Sequence, residues 1–315
     1  MIHSIISVLK NCWINPIWTI CCAIRNKGGI VACWNLVFRK YREGLSIKTI
    51  LRESWKSRIG TGYFEWQERF EKLTPQDMSA IRKQIQGLQS PPLISILMPV
   101  YNPDPHLLRQ ALDSVQNQIY PYWELCIADD ASPNAQIQTI LEDYCRADSR
   151  IHVIFRKENG HICAASNSAL DLCTGTYTAL MDHDDILPEV ALYFVAMEIT
   201  QHPDAMLIYS DEDLLSPQDK RYNPHFKPDW NEPLFLASNY LNHLSIYRTS
   251  LLREIGGFRL GYEGSQDHDL TLRCVLKIRP SQIRHIPRIL YHWRQFPGSG
   301  SFSDRALEQC KKARR

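Results

Sequence analysis

The chain has 315 residues, of which 44% are hydrophobic, 10% aromatic and 22% charged, a globular composition that excludes collagen-like, low-complexity and wholly disordered classes. The formal net charge of +2 conceals an asymmetry: residues 1–60 hold ten basic residues against two acidic ones, and residues 61–315 hold 26 against 32. A basic leader precedes an acidic body, and the two need separate explanations.

In the leader, apolar stretches at 12–24 and 29–38 carry Trp13, Trp18 and Trp34 and are broken by Asn15, Pro16 and the Arg25–Lys27 cluster. Neither reaches the roughly 18–20 residues that span a bilayer, and no small-residue cleavage site follows a single apolar block. Tryptophans interspersed with Lys and Arg suit a segment lying on an anionic membrane surface; a helical extension packed on the body fits equally. The ten cysteines show no C-x-x-C spacing, which argues against structural zinc and for a reduced, cytoplasmic setting. The leader's tryptophans belong to no recognisable nucleic-acid module, so no nucleic-acid partner is expected.

Residues 63–89 read as helical, with Trp66, Phe70 and Leu73 at i, i+4 and i+7 and Thr74-Pro75-Gln76-Asp77 as a cap opening a second helix. Ser90-Pro91-Pro92 then breaks the chain. The expected organisation is a leader over 1–60, a helical preface and linker over 61–92, and a body over 93–315. In the body, strands are expected at 93–100, 123–128, 151–155, 177–181 and 206–210. Helices are expected at 106–118, 135–148, 162–172 and 189–201. Such alternation predicts an α/β fold, a mostly parallel sheet flanked by helices, with ligands beyond the carboxyl ends of the strands.

Those ends carry polar clusters: Pro99-Val100-Tyr101-Asn102, Asp129-Asp130-Ala131-Ser132 and Asp182-His183-Asp184-Asp185. One acidic pair alone would read as a helix cap. Two at one sheet edge are costly unless a cation sits there, and carboxylates without a Cys cluster suit Mg²⁺ or Mn²⁺. Neither a P-loop nor a G-x-G-x-x-G follows the first strand, so a nucleoside diphosphate held through metal is the natural inference.

The run ISILMPVYNPDPHLLRQALDSVQNQIYPYWELCIADDAS resembles the opening of family 2 glycosyltransferases of the GT-A fold, and NGHICAASNSALDLCTGTYTALMDHDDILP resembles the segment leading into their D-x-D motif. Tyr209-Ser210-Asp211-Glu212-Asp213 and Lys227-Pro228-Asp229-Trp230 are similar to a bacterial subgroup of O-antigen and rhamnose-type polysaccharide assembly. The resemblance implies that Pro99, Tyr101, Asn102, Asp129 and Asp130 line a nucleobase and ribose pocket, that Asn159 and Gly160 border the donor, and that Asp182 faces ribose and diphosphate. Asp184 would ligate a divalent metal, Mn²⁺ or Mg²⁺, with Asp185 and His292 as further candidates. Asn167 matches the same donor loop, in which Ser166 stands where many relatives carry Arg. Arg294 would reach the diphosphate.

Ser265-Gln266-Asp267-His268-Asp269 opens a helix after a glycine-marked stretch. By itself Asp267 reads as an N-terminal carboxylate favouring the helix dipole; the resemblance makes it the general base of an E/Q-D motif. His243, Gln266 and Trp293 are implied at the acceptor. The expected activity is inverting, metal-dependent sugar transfer from a UDP- or dTDP-sugar to a glycan or lipid-linked glycan at the cytoplasmic membrane face. The competing reading is a non-catalytic nucleotide-sugar-binding or scaffold subunit, which would need neither the D-x-D motif nor Asp267.

Overall fold

The computed structural model describes residues 62–295; the leader over 1–60 and the interpretations placed on it lie outside the described residues. The chain divides into two units, Met1–Arg69 and Phe70–Arg315. In the first, residues 62–69 are helical and the rings of Tyr63 and Trp66 stack 5.8 Å apart.

The second unit opens with α1 (Pro75–Gln86), whose N-cap Thr74 exchanges hydrogen bonds with Asp77 in a capping box. There follow β1 (Ile94–Val100), α2 (Pro105–Gln116), β2 (Trp123–Asp129), α3 (Ala135–Ala147), β3 (Ile151–Phe155), α4 (His161–Leu172), β4 (Tyr177–Leu180) and α5 (Ala191–Gln201). Each strand expected from the alternation is present within a residue or two at its start, and the helices likewise. The second half is β5 (Leu207–Leu215), β6 (Arg221–His225), α6 (Glu232–Ala237), β7 (Ser245–Arg248), α7 (Thr249–Glu254), α8 (Gln266–Val275) and β8 (Ile283–Arg294).

The sheet runs β3-β2-β1-β4-β7-β5-β6, with β8 alongside β5. The pairs β1–β2, β2–β3, β1–β4 and β5–β8 are parallel, whereas β7 is antiparallel to both β4 and β5. The register between β5 and β8 shifts twice, so that Ser210 faces Ile286, Asp211 faces Ile289 and Asp213 faces His292.

Alternate residues of β1 feed two cores, because strand side chains point to opposite faces in turn. Ile94, Ile96 and Met98 join Leu108, Leu112, Ile137, Ile140, Leu192 and Val195 of α2, α3 and α5. Leu97 joins Ala169, Leu251, Leu252, Leu270 and Cys274 of α4, α7 and α8 on the other side. Ile81 and Ile85 of α1 belong to the first core, so α1 packs with the sheet.

One buried carboxylate ties three segments at the edge opposite the polar clusters. Glu124 accepts from Ser95 Oγ at 2.5 Å, from the Thr174 amide at 2.5 Å and hydroxyl at 2.8 Å, and from the Gly175 amide at 2.8 Å. Burial alone would raise its pKa, but these donors lower it. Glu124→Ala removes the shared acceptor of these donors and is expected to cost ~1–3 kcal/mol, read as a fall in the urea midpoint with an unchanged slope.

Candidate active site

Because β1, β2, β3 and β4 run parallel, their carboxyl ends share one edge, and antiparallel β7 presents its start there. The ends of β5 and β8 reach the same edge. Segments distant in sequence, 99–102, 129–132, 182–185, 210–213, 242–244 and 291–294, therefore converge.

On one side, Tyr101 is exposed and Asn102 has a left-handed φ of 45°. Its amide donates to Ser132 Oγ at 2.8 Å, and that hydroxyl donates to Asp129 at 2.5 Å, so the loops after β1 and β2 are tied together. Pro99 accepts through its carbonyl from, or stands within 3.1 Å of, His183 Nδ1, the middle residue of Asp182-His183-Asp184.

Asp130 is turned inward. It accepts from Arg156 Nε at 2.7 Å and from the Gly160 amide at 3.0 Å, while its carbonyl accepts from Asn159 Nδ2 at 3.2 Å. A Cβ on Gly160 would meet the end of the Arg156 side chain at 2.5 Å and the Ala164 Cβ at 2.8 Å, so a larger residue there would have to displace them. Asn167 likewise holds the Phe258 carbonyl and amide, each at 2.8 Å, beneath the left-handed Gly257. Asp130 and Asn167 thus fix the positions of loops with their own side chains.

The three aspartates after β4 are not equivalent. The Asp182 side chain is 45% exposed. Asp184 is half-buried, and burial followed by the charge of Asp182 raises its pKa, with His183 opposing. Asp185 is buried and accepts from Tyr291 Oη at 2.5 Å and from the Arg294 amide at 2.7 Å. Both its oxygens are engaged by protein, which removes it from the candidate metal ligands. The Tyr291 hydroxyl also accepts from the Asp182 amide at 3.1 Å.

His292 also departs from the ligand expectation. Tyr291 stacks on His243 at 4.8 Å and Trp293 lies 5.6 Å from the same ring, so these two face the cleft. His292, between them on the strand, points the opposite way. There its Nδ1 pairs with Asp213 at 2.6 Å, Asp213 pairs with Arg221 at 2.6 Å, and Arg221 reaches Glu71 at 2.7 Å. Arg294 is committed too: it holds the Asp184 carbonyl, Asp219 and Gln110 at 2.6–2.9 Å, so its guanidinium is not directed at a diphosphate.

Among the described residues no group of three metal-ligating side chains converges. What remains is Asp182 and Asp184, two hard oxygen donors whose mutual repulsion a divalent cation would relieve. That set fits Mg²⁺ or Mn²⁺, which keep several positions for water and phosphate oxygens.

Across the cleft, α8 places two carboxylates in its first turn. Asp269 is consumed by Arg259 and Arg273. Asp267 accepts only weakly from Gln266 Nε2 at 3.1 Å, while Gln266 Oε1 accepts from the Gly264 amide at 2.6 Å. Burial and then the charge of Asp182 raise the Asp267 pKa to about 6, against the opposing pull of His243 and of the Asn242 side chain.

Between the two sides stands His243. Its Nε2 is 4.0 Å from Asp182 and its Nδ1 is 3.1 Å from Glu212. Burial would lower its pKa, yet Glu212, Asp182 and Asp185 raise it to about 9. Tyr291, Glu212, Lys227 and Asn242 have no assigned role in the sequence reading. Glu212 and Lys227 fall in the subgroup-like runs, whereas no motif marks Tyr291 or Asn242.

Residues 95–256 match the model of the family described as Glycosyl transferase family 2. The chain is 41% identical over 279 residues to the protein y4gI of Sinorhizobium fredii, covering 88% of this chain and 31% of that one. It is 34% identical over 239 residues to the O-antigen biosynthesis protein RfbC of Myxococcus xanthus, covering 76% and 19%. The chain thus spans about a third or less of the length of these curated relatives. Among solved structures, S. aureus TarS 1-349 in complex with UDP-GlcNAc superposes with a TM-score of 0.56 at 23% identity, over 65% of this chain and 59% of that one. The mannosyltransferase PcManGT of Pyrobaculum calidifontis, in complex with GDP-Man and Mn²⁺, gives 0.51 at 16% identity, over 70% and 64%. These likenesses show the fold, which is of the GT-A type. If His292 serves Asp213 and not a metal, His292→Ala lowers the melting temperature but leaves the Mn²⁺ dependence of UDP binding unchanged in calorimetric titration.

Proposed function

The chain belongs to glycosyl transferase family 2, and on that premise we propose that it transfers a sugar, with inversion, from a UDP- or dTDP-sugar. The acceptor is a glycan or lipid-linked glycan in the assembly of an O-antigen-like cell-surface polysaccharide. The observation that carries this reading is Asp267. It is the first-turn carboxylate of α8 that no arginine neutralises, and its pKa is raised to about 6. A carboxylate so tuned is ionised at neutral pH and still basic enough to take a proton.

The donor occupies the side formed by Pro99, Tyr101, Asn102, Asp129, Asn159, Gly160 and Asp182, and the acceptor the side of His243, Gln266 and Trp293. An acceptor hydroxyl gives its proton to Asp267 as its oxygen attacks the anomeric carbon. The bond from that carbon to the diphosphate breaks, and the nucleoside diphosphate leaves with the electron pair. Asp184, with Asp182, would hold the divalent ion, which when bound neutralises charge on the diphosphate as a Lewis acid. His243, positively charged at neutral pH through Glu212, adds a fixed positive charge beside Asp182. The names of RfbC and of the putative teichuronic acid glycosyltransferase TuaG of Bacillus subtilis, 38% identical over 94 residues, support a polysaccharide setting. No helix among the described residues is long and apolar enough to cross a membrane; contact of residues 1–60 with the cytoplasmic membrane face rests on their sequence alone.

Asp267→Asn is expected to lower kcat by about 10²–10⁴-fold with UDP binding intact, and unchanged turnover would overturn the base assignment. Turnover should rise with pH through about 6, because Asp267 must lose its proton to act; a profile flat from pH 5 to 7 contradicts this. Asp184→Ala should weaken UDP binding when Mn²⁺ is present and leave it unchanged in EDTA, as read by titration calorimetry.

A further inference from the structure

Beneath the cleft lie two charged groups that the reaction itself does not touch. The Lys227 side chain is fully buried, and its ammonium donates to the carbonyls of Asn242 at 2.6 Å and His243 at 2.7 Å. Glu212, also buried, accepts from the amide of His243 at 2.8 Å and stands 3.1 Å from its ring Nδ1. The backbone of His243 is therefore gripped at its N–H by an anion and at its C=O by a cation.

The two charges attract each other without a hydrogen bond between them. Lys227 Nζ and Glu212 Oε1 are 3.9 Å apart, beyond hydrogen-bond distance. Their attraction offsets only part of the desolvation of Lys227. Desolvation lowers the Lys227 pKa to about 8 even with Glu212 and Asp211 opposing it. The hydrogen bonds that justify burying this pair go to the segment just before β7.

That segment touches both carboxylates of the proposed chemistry. The Asn242 side chain is close enough to Asp267 to favour its ionised form. The His243 ring lies 4.0 Å from Asp182, stacked on Tyr291 and tilted against Trp293. We propose that Glu212 and Lys227 are positioning residues that hold the Asn242–His243 segment in register between Asp267 and Asp182. This rests on the reading of Asp267 as the base. A shift of about 1 Å in such a segment can cost on the order of 10²-fold in rate.

The test compares Lys227→Met, Glu212→Gln and the double variant, reading release of UDP or dTDP from UDP- and dTDP-hexoses with Mn²⁺ and water as acceptor. Each single variant leaves a buried charge uncompensated and lowers the melting temperature. The double variant removes both members of the pair and is expected to regain part of the melting temperature, while kcat stays down about 10–100-fold and the donor KM changes by less than about threefold. A folded double variant with wild-type kcat overturns the proposal, since the pair would then serve only stability.

Asn242→Ala leaves Glu212 and Lys227 in place and gives an independent reading. It should move the acid limb of the pH profile above about 6, because it removes a side chain that favours ionised Asp267, and an unmoved limb overturns the proposal. In the Asp267→Asn background it should cost nothing more, whereas a fully additive loss contradicts the coupling. Wild-type turnover in Asp267→Asn would remove the base and this proposal together. Loss in Asp267→Asn alongside wild-type turnover in the double variant removes this proposal alone.

Discussion

Negative charge crowded onto one edge of a sheet is the constraint around which the rest of this structure is arranged. Asp182, Asp184, Asp185, Asp211, Glu212, Asp213 and Asp267 all approach that edge, and like charges in a partly dry cleft repel strongly. Most are answered by protein. Asp185 takes a tyrosine hydroxyl and a backbone amide, Asp213 takes Arg221 and His292, and Glu212 takes His225 and His243. Asp211 takes His285 and the Lys227 amide. Asp182, Asp184 and Asp267 are left with raised or exposed carboxylates, and these carry the proposed chemistry.

The direction of β7 makes the convergence possible. Were β7 parallel to β4, its start would lie at the far edge of the sheet, beside the Glu124 anchor. Running antiparallel, it delivers Asn242 and His243 to the polar edge and completes a wall that the parallel half cannot supply. The same antiparallel pairing aligns β5 with the first four strands, so Glu212 arrives from below and Tyr291 from alongside.

Much of this was legible in the sequence where local rules act alone. Buried parallel strands such as Leu-Cys-Ile-Ala in β2 are continuous apolar runs, and Asp104, Asn134 and Thr74 sit at caps where side-chain oxygens meet free amides. The aspartates after β4 and Asp267 stand out in the sequence because each follows a strand or opens a helix at the expected edge, and the roles given to them are proposals. What sequence could not separate was which of three adjacent aspartates faces inward, since that depends on Tyr291, over a hundred residues away. The partners that Arg294 and His292 have here could not be read for the same reason: Asp219, Gln110 and Asp213 are supplied by other elements. The short elements α6, α7, β6 and β7 give too few residues for a period to show.

The two register shifts between β5 and β8 have a consequence best put as odd and even counting. From Ser210 to Asp213 β5 advances three residues, while β8 advances six, from Ile286 to His292. Three extra residues are an odd number, so the sense of alternation along β8 is inverted beyond the bulges. That inversion gives Tyr291 and Trp293 the cleft and gives His292 to Asp213. A chain one residue shorter there would exchange the two aromatic rings for an imidazole and a guanidinium with no change of side chain. The identity of this wall of the cleft is therefore stored in a length as well as in its side chains.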